Sequence, residues 1–279
     1  MGFGSRLAAA MDELGPVCFG IDPHPGLLDS WDLSDDADGL AAFADTALAA
    51  FAGVGAAIKP QSAFFERHGS RGIAVLERLL ADARSAGVLT ILDVKRGDIG
   101  STMAAYAEAY LMDGSPLAAD AITVSPYLGA GSLAPAVELA QRTNRGLFVL
   151  CLTSNPEGPR VQHARLDGEA VATGIALAVG ELNAGAPRLG SFGLVLGATI
   201  GAAARDLDID LAGVRGPLLA PGIGAQGATA TELLDVFGEA RTQVLASTSR
   251  AVLWQGPDRV ALRDAAERAR ADITTALRG

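Results

Sequence analysis

The chain has 279 residues and carries 22 lysines and arginines against 32 aspartates and glutamates, a formal charge of −10. That balance argues against a nucleic-acid or anionic-membrane binder, which needs a basic face. Hydrophobic residues at 49% and charged residues at 19% describe a chain that can bury a large core rather than stay disordered.

Met1–Gly15 holds Arg6, Asp12 and Glu13 and lacks the apolar centre of a secretion signal. The longest apolar stretch, Leu40–Ile58, is interrupted by Asp45 and several glycines and falls short of the ~20 residues of a membrane span. Cys18 and Cys151 lie in separate apolar runs and read as buried thiols. A secreted disulfide framework needs more cysteines, so a soluble protein of the reducing cytoplasm is expected.

Short, near-continuous apolar runs alternate along the chain with longer alanine-rich helical patterns, the signature of parallel strands covered on both faces. The first strand is expected at Pro16–Asp22 and its helix at Asp38–Phe51; the second pair is Val54–Lys59 and Arg71–Ser85. Then come Val88–Lys95 with Ser101–Met112, and Asp120–Pro126 with Ala130–Thr143. The fifth pair is Gly146–Thr153 and Glu169–Asn183; the sixth strand, Phe192–Thr199, precedes only the short stretch Gly201–Leu207. Gly216–Gly222 with Thr229–Phe237, and Gln243–Ser249 with Pro257–Leu277, complete eight units. Eight β-then-α units in this length are the arithmetic of an α/β TIM (β/α)8 barrel. An open, doubly wound sheet is the alternative, but no Pro- or Ser-rich linker interrupts the series. A single domain over residues 1–279 is expected, with His24–Asp38 and Asn155–Asp167 decorating the rim.

Lysine occurs only at positions 59 and 95; every other basic residue is arginine. A lysine that survives such a bias marks a place for a compact ammonium whose proton can be donated. Both fall at strand ends, where a barrel keeps its chemistry. Strand periodicity puts Asp93 and Lys95 on the same face with Val94 turned outward, and Lys59 at the end of the neighbouring strand reaches the same space. Alternating carboxylates and ammonium groups in a partly dry site stabilise each other's ionised forms. A structural ion-pair cluster is the plainer reading, but it would tolerate arginine and gives little stability for its burial.

Gly222–Gly227 matches G-x-G-x-x-G, yet it follows the seventh strand, where a dinucleotide fingerprint would follow the first. In a barrel the loops after strands seven and eight form a phosphate site. Arg250, at the end of strand eight, would grip a phosphate dianion. A small phosphorylated ligand is therefore expected. His24 lies near the mouth, whereas His68 and His163 read as loop or surface residues. None of the three has metal-site spacing. Met103, Tyr106 and Tyr110 fall at helical spacing and read as packing.

Asp93-Val94-Lys95-Arg96-Gly97-Asp98-Ile99 resembles the D-x-K-x-x-D-I signature of the orotidine 5′-phosphate decarboxylases. The strings AAIKPQSAFFE, DVKRGDIGSTMAAYA, LTSNPEG, APGIGAQG and STSR resemble the longer bacterial branch of that family, in order through essentially the whole chain. The resemblance implies cofactor-independent decarboxylation of orotidine 5′-monophosphate to UMP. It implies that Lys95 donates a proton to C6 and that Asp93 sits beside the substrate carboxylate. Lys59 would link the ribose hydroxyls to the charge network, and Asp22 would bind the ribose. Asp98, with Ile99 and Thr102 nearby, would reach into the site of a partner subunit, giving a homodimer with shared sites. Ser154 would meet the pyrimidine amide edge, and Gln226, the amides near Gly224 and Ala225, and Arg250 would hold phosphate. The alternatives left open are a Mg²⁺-dependent sugar-phosphate decarboxylase or synthase of the same barrel type, a Schiff-base aldolase and an inactive nucleotide-binding regulator.

Overall fold

In the computed structural model, which describes residues 1–223 and 230–278, the apolar runs form eight parallel strands. They are β1 (Val17–Ile21), β2 (Ala57–Pro60), β3 (Ile91–Arg96), β4 (Ala121–Val124), β5 (Gly146–Leu152), β6 (Phe192–Leu196), β7 (Leu218–Pro221) and β8 (Val244–Thr248). Each is covered on both faces, which is why the runs are continuous rather than alternating. The hydrogen-bonded order is β2-β1-β8-β7-β6-β5-β4-β3. Two further parallel bridges, Ile58 to Thr90 and Gln61 to Asp93, join β2 to β3 and close the ring. The expected (β/α)8 barrel is the observed one; four strands are shorter than the apolar runs at both ends, β5 and β6 only at the C-terminal end, and β2 and β3 begin three residues later and end one residue later than expected.

The outer helices follow the expected series: α3 (Ala37–Phe51), α5 (Gly69–Ser85), α6 (Gly100–Leu111), α7 (Ala134–Arg142), α9 (Val171–Leu182), α11 (Ala230–Phe237) and α13 (Arg259–Arg278). On α5 the buried residues are Gly72, Val75, Leu76, Leu79, Leu80 and Ala83, the three-and-four spacing that lays one stripe against the strands. Asp36 caps α3 by accepting from the backbone N–H groups of Asp38 and Gly39. Pro135 leaves Ala130–Leu133 as a separate 3-10 turn ahead of α7. The short stretch after β6 forms only α10 (Ala203–Asp206). Among the described residues, no helix is long and apolar enough to cross a membrane.

Helix α1 (Phe3–Leu14) was not among the expected elements. Its apolar residues Phe3, Leu7, Ala8 and Met11 pack into the bottom of the barrel against Cys18, Ala57, Ile91, Ala121, Phe148, Val195, Leu219 and Leu245. That layer takes one inward residue from each of the eight strands. The rim segments carry α2 (Pro25–Ser30) after β1 and α4 (Ser62–Glu66) after β2. After β5 they carry α8 (Pro159–Gln162) and a hairpin pairing Arg165–Leu166 with Glu169–Ala170. Residues Glu169 and Ala170, expected as the start of a helix, belong to that hairpin.

Candidate active site

The side-chain period of a strand is two, so the next inward positions above the apolar layer lie two residues further on. There Ala57 gives way to Lys59, Ile91 to Asp93, Ala121 to Thr123 and Leu245 to Ser247, all four buried. One pleat thus changes the barrel interior from hydrocarbon to a polar cluster. At the same level β1 supplies Gly20. A Cβ there would lie 2.7 Å from the Ser249 side chain and 3.0 Å from Asp22 Oδ2, so only glycine leaves room for both.

Asp93 is the centre of the cluster. Lys59 Nζ lies 3.0 Å from its Oδ2, and Gln61 Nε2 donates to the same oxygen at 3.1 Å. Lys95 Nζ reaches Oδ1 at 2.6 Å, and the Thr123 hydroxyl donates to it at 2.8 Å. Burial alone would raise the carboxyl's pKa. The Lys59 and Lys95 charges and the hydrogen bonds from Lys95 and Thr123 outweigh it and hold Asp93 well below its ordinary range. Burial likewise works against the Lys59 ammonium, but Asp22 and Asp93 together push its pKa above the usual lysine value. Asp22 Oδ1 is 4.0 Å from Lys59 Nζ and, although the atom is buried, has no hydrogen-bond partner among the described residues.

Lys95 differs from its neighbours in two respects. Its side chain is 46% exposed toward the cleft, where Lys59 and Asp93 are enclosed. Its backbone is left-handed, with φ +46°, a conformation that costs a non-glycine residue about 1–3 kcal/mol. The cleft above the cluster, of about 420 Å³, is lined by Asp22, His24, Gln61, Phe64, Asp93 and Lys95 among others. The His24 ring sits 4.2 Å from that of Phe64. Burial pushes its pKa below the ordinary 6.5; Asp22 opposes that shift and Arg250 adds to it. Arg250 opens the short helix α12 (Arg250–Leu253) directly after β8 and is exposed. Beside it the Thr248 and Ser249 hydroxyls are buried and have no hydrogen-bond partner among the described residues.

Asp22, Lys59, Asp93 and Lys95 therefore come together, and Arg250 stands at the rim of the same mouth. Ser154 is exposed in the loop after β5, near Gly197 at the end of β6. Asp98, Ile99 and Thr102 do not join the cluster. Asp98 accepts from the Ile99 N–H, Thr102 is exposed, and Ile99 is 62% exposed at the start of α6. Gly224, Ala225 and Gln226, and most of the glycine-rich segment, lie outside the described residues. Among the described residues, no three His, Cys, Asp or Glu side chains converge as a metal site. Gln61 and Thr123, both bonded to Asp93, were not singled out from the sequence. His68 is more enclosed than a surface residue, with its Nε2 3.6 Å from Asp35 Oδ1. Met103 and Tyr110 are core residues, while Tyr106 and Tyr110 both flank the Arg96 guanidinium.

Residues 15–265 match the model of the orotidine 5′-phosphate decarboxylase / HUMPS family. The orotidine 5′-phosphate decarboxylase of Salinispora tropica is 58% identical over 278 residues, covering 99% of both chains. That of Streptomyces coelicolor is 57% identical over 276 residues, 99% of this chain and 98% of its own. A crystal structure from Streptomyces avermitilis, assigned to the same enzyme, superposes with a TM-score of 0.95 at 57% identity. It covers all of this chain and 96% of that one.

Proposed function

The chain belongs to the orotidine 5′-phosphate decarboxylase / HUMPS family, and from that premise we propose how its barrel mouth performs the reaction. The reaction is decarboxylation of orotidine 5′-monophosphate to UMP and CO2. Breaking the bond between C6 and the carboxylate leaves an electron pair in the ring plane, where the π system cannot spread it. A positive group fixed beforehand at that carbon is the tool for such a barrier. In this reading the Lys95 ammonium stabilises the pair as CO2 departs and gives its proton to C6, which an arginine would hold too tightly. Asp93 holds Lys95 in place and disfavours the neighbouring substrate carboxylate before the bond breaks.

The observation that carries this reading is the division of labour between the two lysines. Lys59 is enclosed and fixes the charge of Asp93, whereas Lys95 shares that carboxylate yet extends into the cleft. The orphan Asp22 Oδ1 is suited to accept from a ribose hydroxyl, with Lys59 linking it to the network. Arg250 and Gln226, with the amides of Gly224 and Ala225, hold the phosphate, and Ser154 reads the pyrimidine edge. Phosphate binding far from C6 then supplies energy for closing the site around the reacting end.

Asp98, Ile99 and Thr102 complete the site of a second copy in a homodimer. The exposure of Thr102 and of Ile99, the latter 62% exposed, with Asp98 half-buried beside them, supports this. Two buried, unpaired cysteines support a reducing, cytoplasmic setting, and the acidic charge favours a small ligand over nucleic acid. A Mg²⁺-dependent sugar-phosphate reaction would need acids to hold the metal, commonly one at the position where this chain carries the Lys59 ammonium. Lys95→Ala tests the scheme: the variant should fold and bind UMP while losing nearly all turnover. Turnover close to wild type would remove Lys95 from the mechanism.

A further inference from the structure

The inward face of β4 carries a hydroxyl that this scheme leaves unused. Thr123 is 1% exposed and stands one pleat above Ala121, in a strand otherwise composed of alanine, isoleucine and valine. Its Oγ1 accepts the backbone N–H of Lys95 at 2.9 Å and donates to Asp93 Oδ1 at 2.8 Å. The same carboxylate oxygen receives the Lys95 ammonium at 2.6 Å. Backbone amide, hydroxyl, carboxylate and ammonium therefore close a ring that begins and ends on Lys95.

The strand geometry explains why a hydroxyl is needed. Leu92 pairs with Ile122 and Arg96 with Val124, so Asp93, Val94 and Lys95 lie opposite the single residue Thr123. In that bulge, with Lys95 turned left-handed, its N–H bonds to the Thr123 side chain instead of a ladder carbonyl. A buried N–H without an acceptor is costly, and a β-branched side chain with few χ1 states is a rigid replacement.

We propose that Thr123 is a positioning residue for the decarboxylation: its hydroxyl ties the left-handed backbone of Lys95 to the Asp93 carboxylate, fixing the ammonium where C6 is protonated. The inference rests on Lys95 being the proton donor. Valine at position 123 keeps shape and branching but neither accepts nor donates, so Lys95 gains freedom while the cleft and phosphate site stay as they are. Because a displacement of 1 Å at a reacting group is worth on the order of 100-fold, the expected loss is about 30–100-fold in the single-turnover rate constant.

The test compares wild type, Thr123→Val, Thr123→Ser and Lys95→Ala for single-turnover decarboxylation, UMP affinity and the pH profile of the rate. Thr123→Val should lose rate while UMP affinity stays within twofold, and Thr123→Ser should recover most of the loss. The acid limb of the Thr123→Val profile should move to higher pH, because a hydrogen bond favouring ionised Asp93 is gone. A folded Thr123→Val with wild-type rate, or Ser and Val variants equally slow, overturns the proposal. Should the valine variant not fold, Thr123→Ala takes its place against serine under the same criteria. If Lys95→Ala turns over normally, the proton-donor reading itself falls. If it is inactive while Thr123→Val is unimpaired, only the positioning role falls.

Discussion

Replacing Lys59 by methionine removes a buried charge while nearly preserving length and bulk. The lost ammonium lies 3.0 Å from Asp93 Oδ2, and at an effective dielectric of 20 such a contact is worth about 5–6 kcal/mol before desolvation. Returning one ion's desolvation cost offsets part of this, but two enclosed carboxylates remain, and breaking a buried pair from one side costs about 3–5 kcal/mol. Asp93 keeps Lys95, Gln61 and Thr123, so the lower end applies: about 3 kcal/mol, or about 5–10 °C in Tm for a chain of this size. The loss should depend on pH with a definite sign. The native pKa of Asp93 is depressed below 3.8, so its contribution is present above that value and fades as pH falls through the native one. The native pKa of Lys59 is raised above 10.5, so its share is present below 10.5 and is lost only in stronger alkali. Urea unfolding followed by circular dichroism should therefore show the largest gap between wild type and Lys59→Met across the neutral range, narrowing below about pH 4. A gap under about 1 kcal/mol at pH 7, or one indifferent to pH, would refute the claim that Lys59 fixes the charge of Asp93.

Two further outcomes follow from the assigned roles. Arg250→Ala should raise KM for the phosphorylated substrate by about 10–100-fold, the worth of a charge-assisted hydrogen bond, and leave the fold intact because the side chain is exposed. An unchanged saturation curve would remove the phosphate assignment. Lys95→Ala and Asp98→Asn, each impaired alone, should regain activity when mixed and allowed to exchange subunits, since one of the two sites in a mixed dimer is then complete. Mixtures no more active than either parent would show that the sites are not shared.

The barrel was legible because parallel strands buried on both faces leave continuous apolar runs, and the two lysines stood out in a chain that otherwise uses arginine. The floor of the barrel was legible too, had Phe3, Leu7, Ala8 and Met11 been read as one helical stripe rather than only as the absence of a secretion signal. Thr123 and Gln61 illustrate a different limit. The count of two from Ala121 to Thr123 places the hydroxyl inward, but its role depends on a bulge that sets three residues of β3 against one of β4. No pattern of side chains announces that bulge or the left-handed turn at Lys95, because both arise from how two strands pair. Asp98 and Thr102 stand apart from the cluster because Asp98 lies in the connection between β3 and α6 and Thr102 in the first turn of α6.

The most direct measurement is the loss of orotidine 5′-monophosphate absorbance on adding the purified protein in EDTA, with Lys95→Ala beside it. Rapid conversion to UMP by the wild type and almost none by the variant is the predicted result. A folded, UMP-binding wild type without turnover, or equal turnover by the two proteins, would contradict the account.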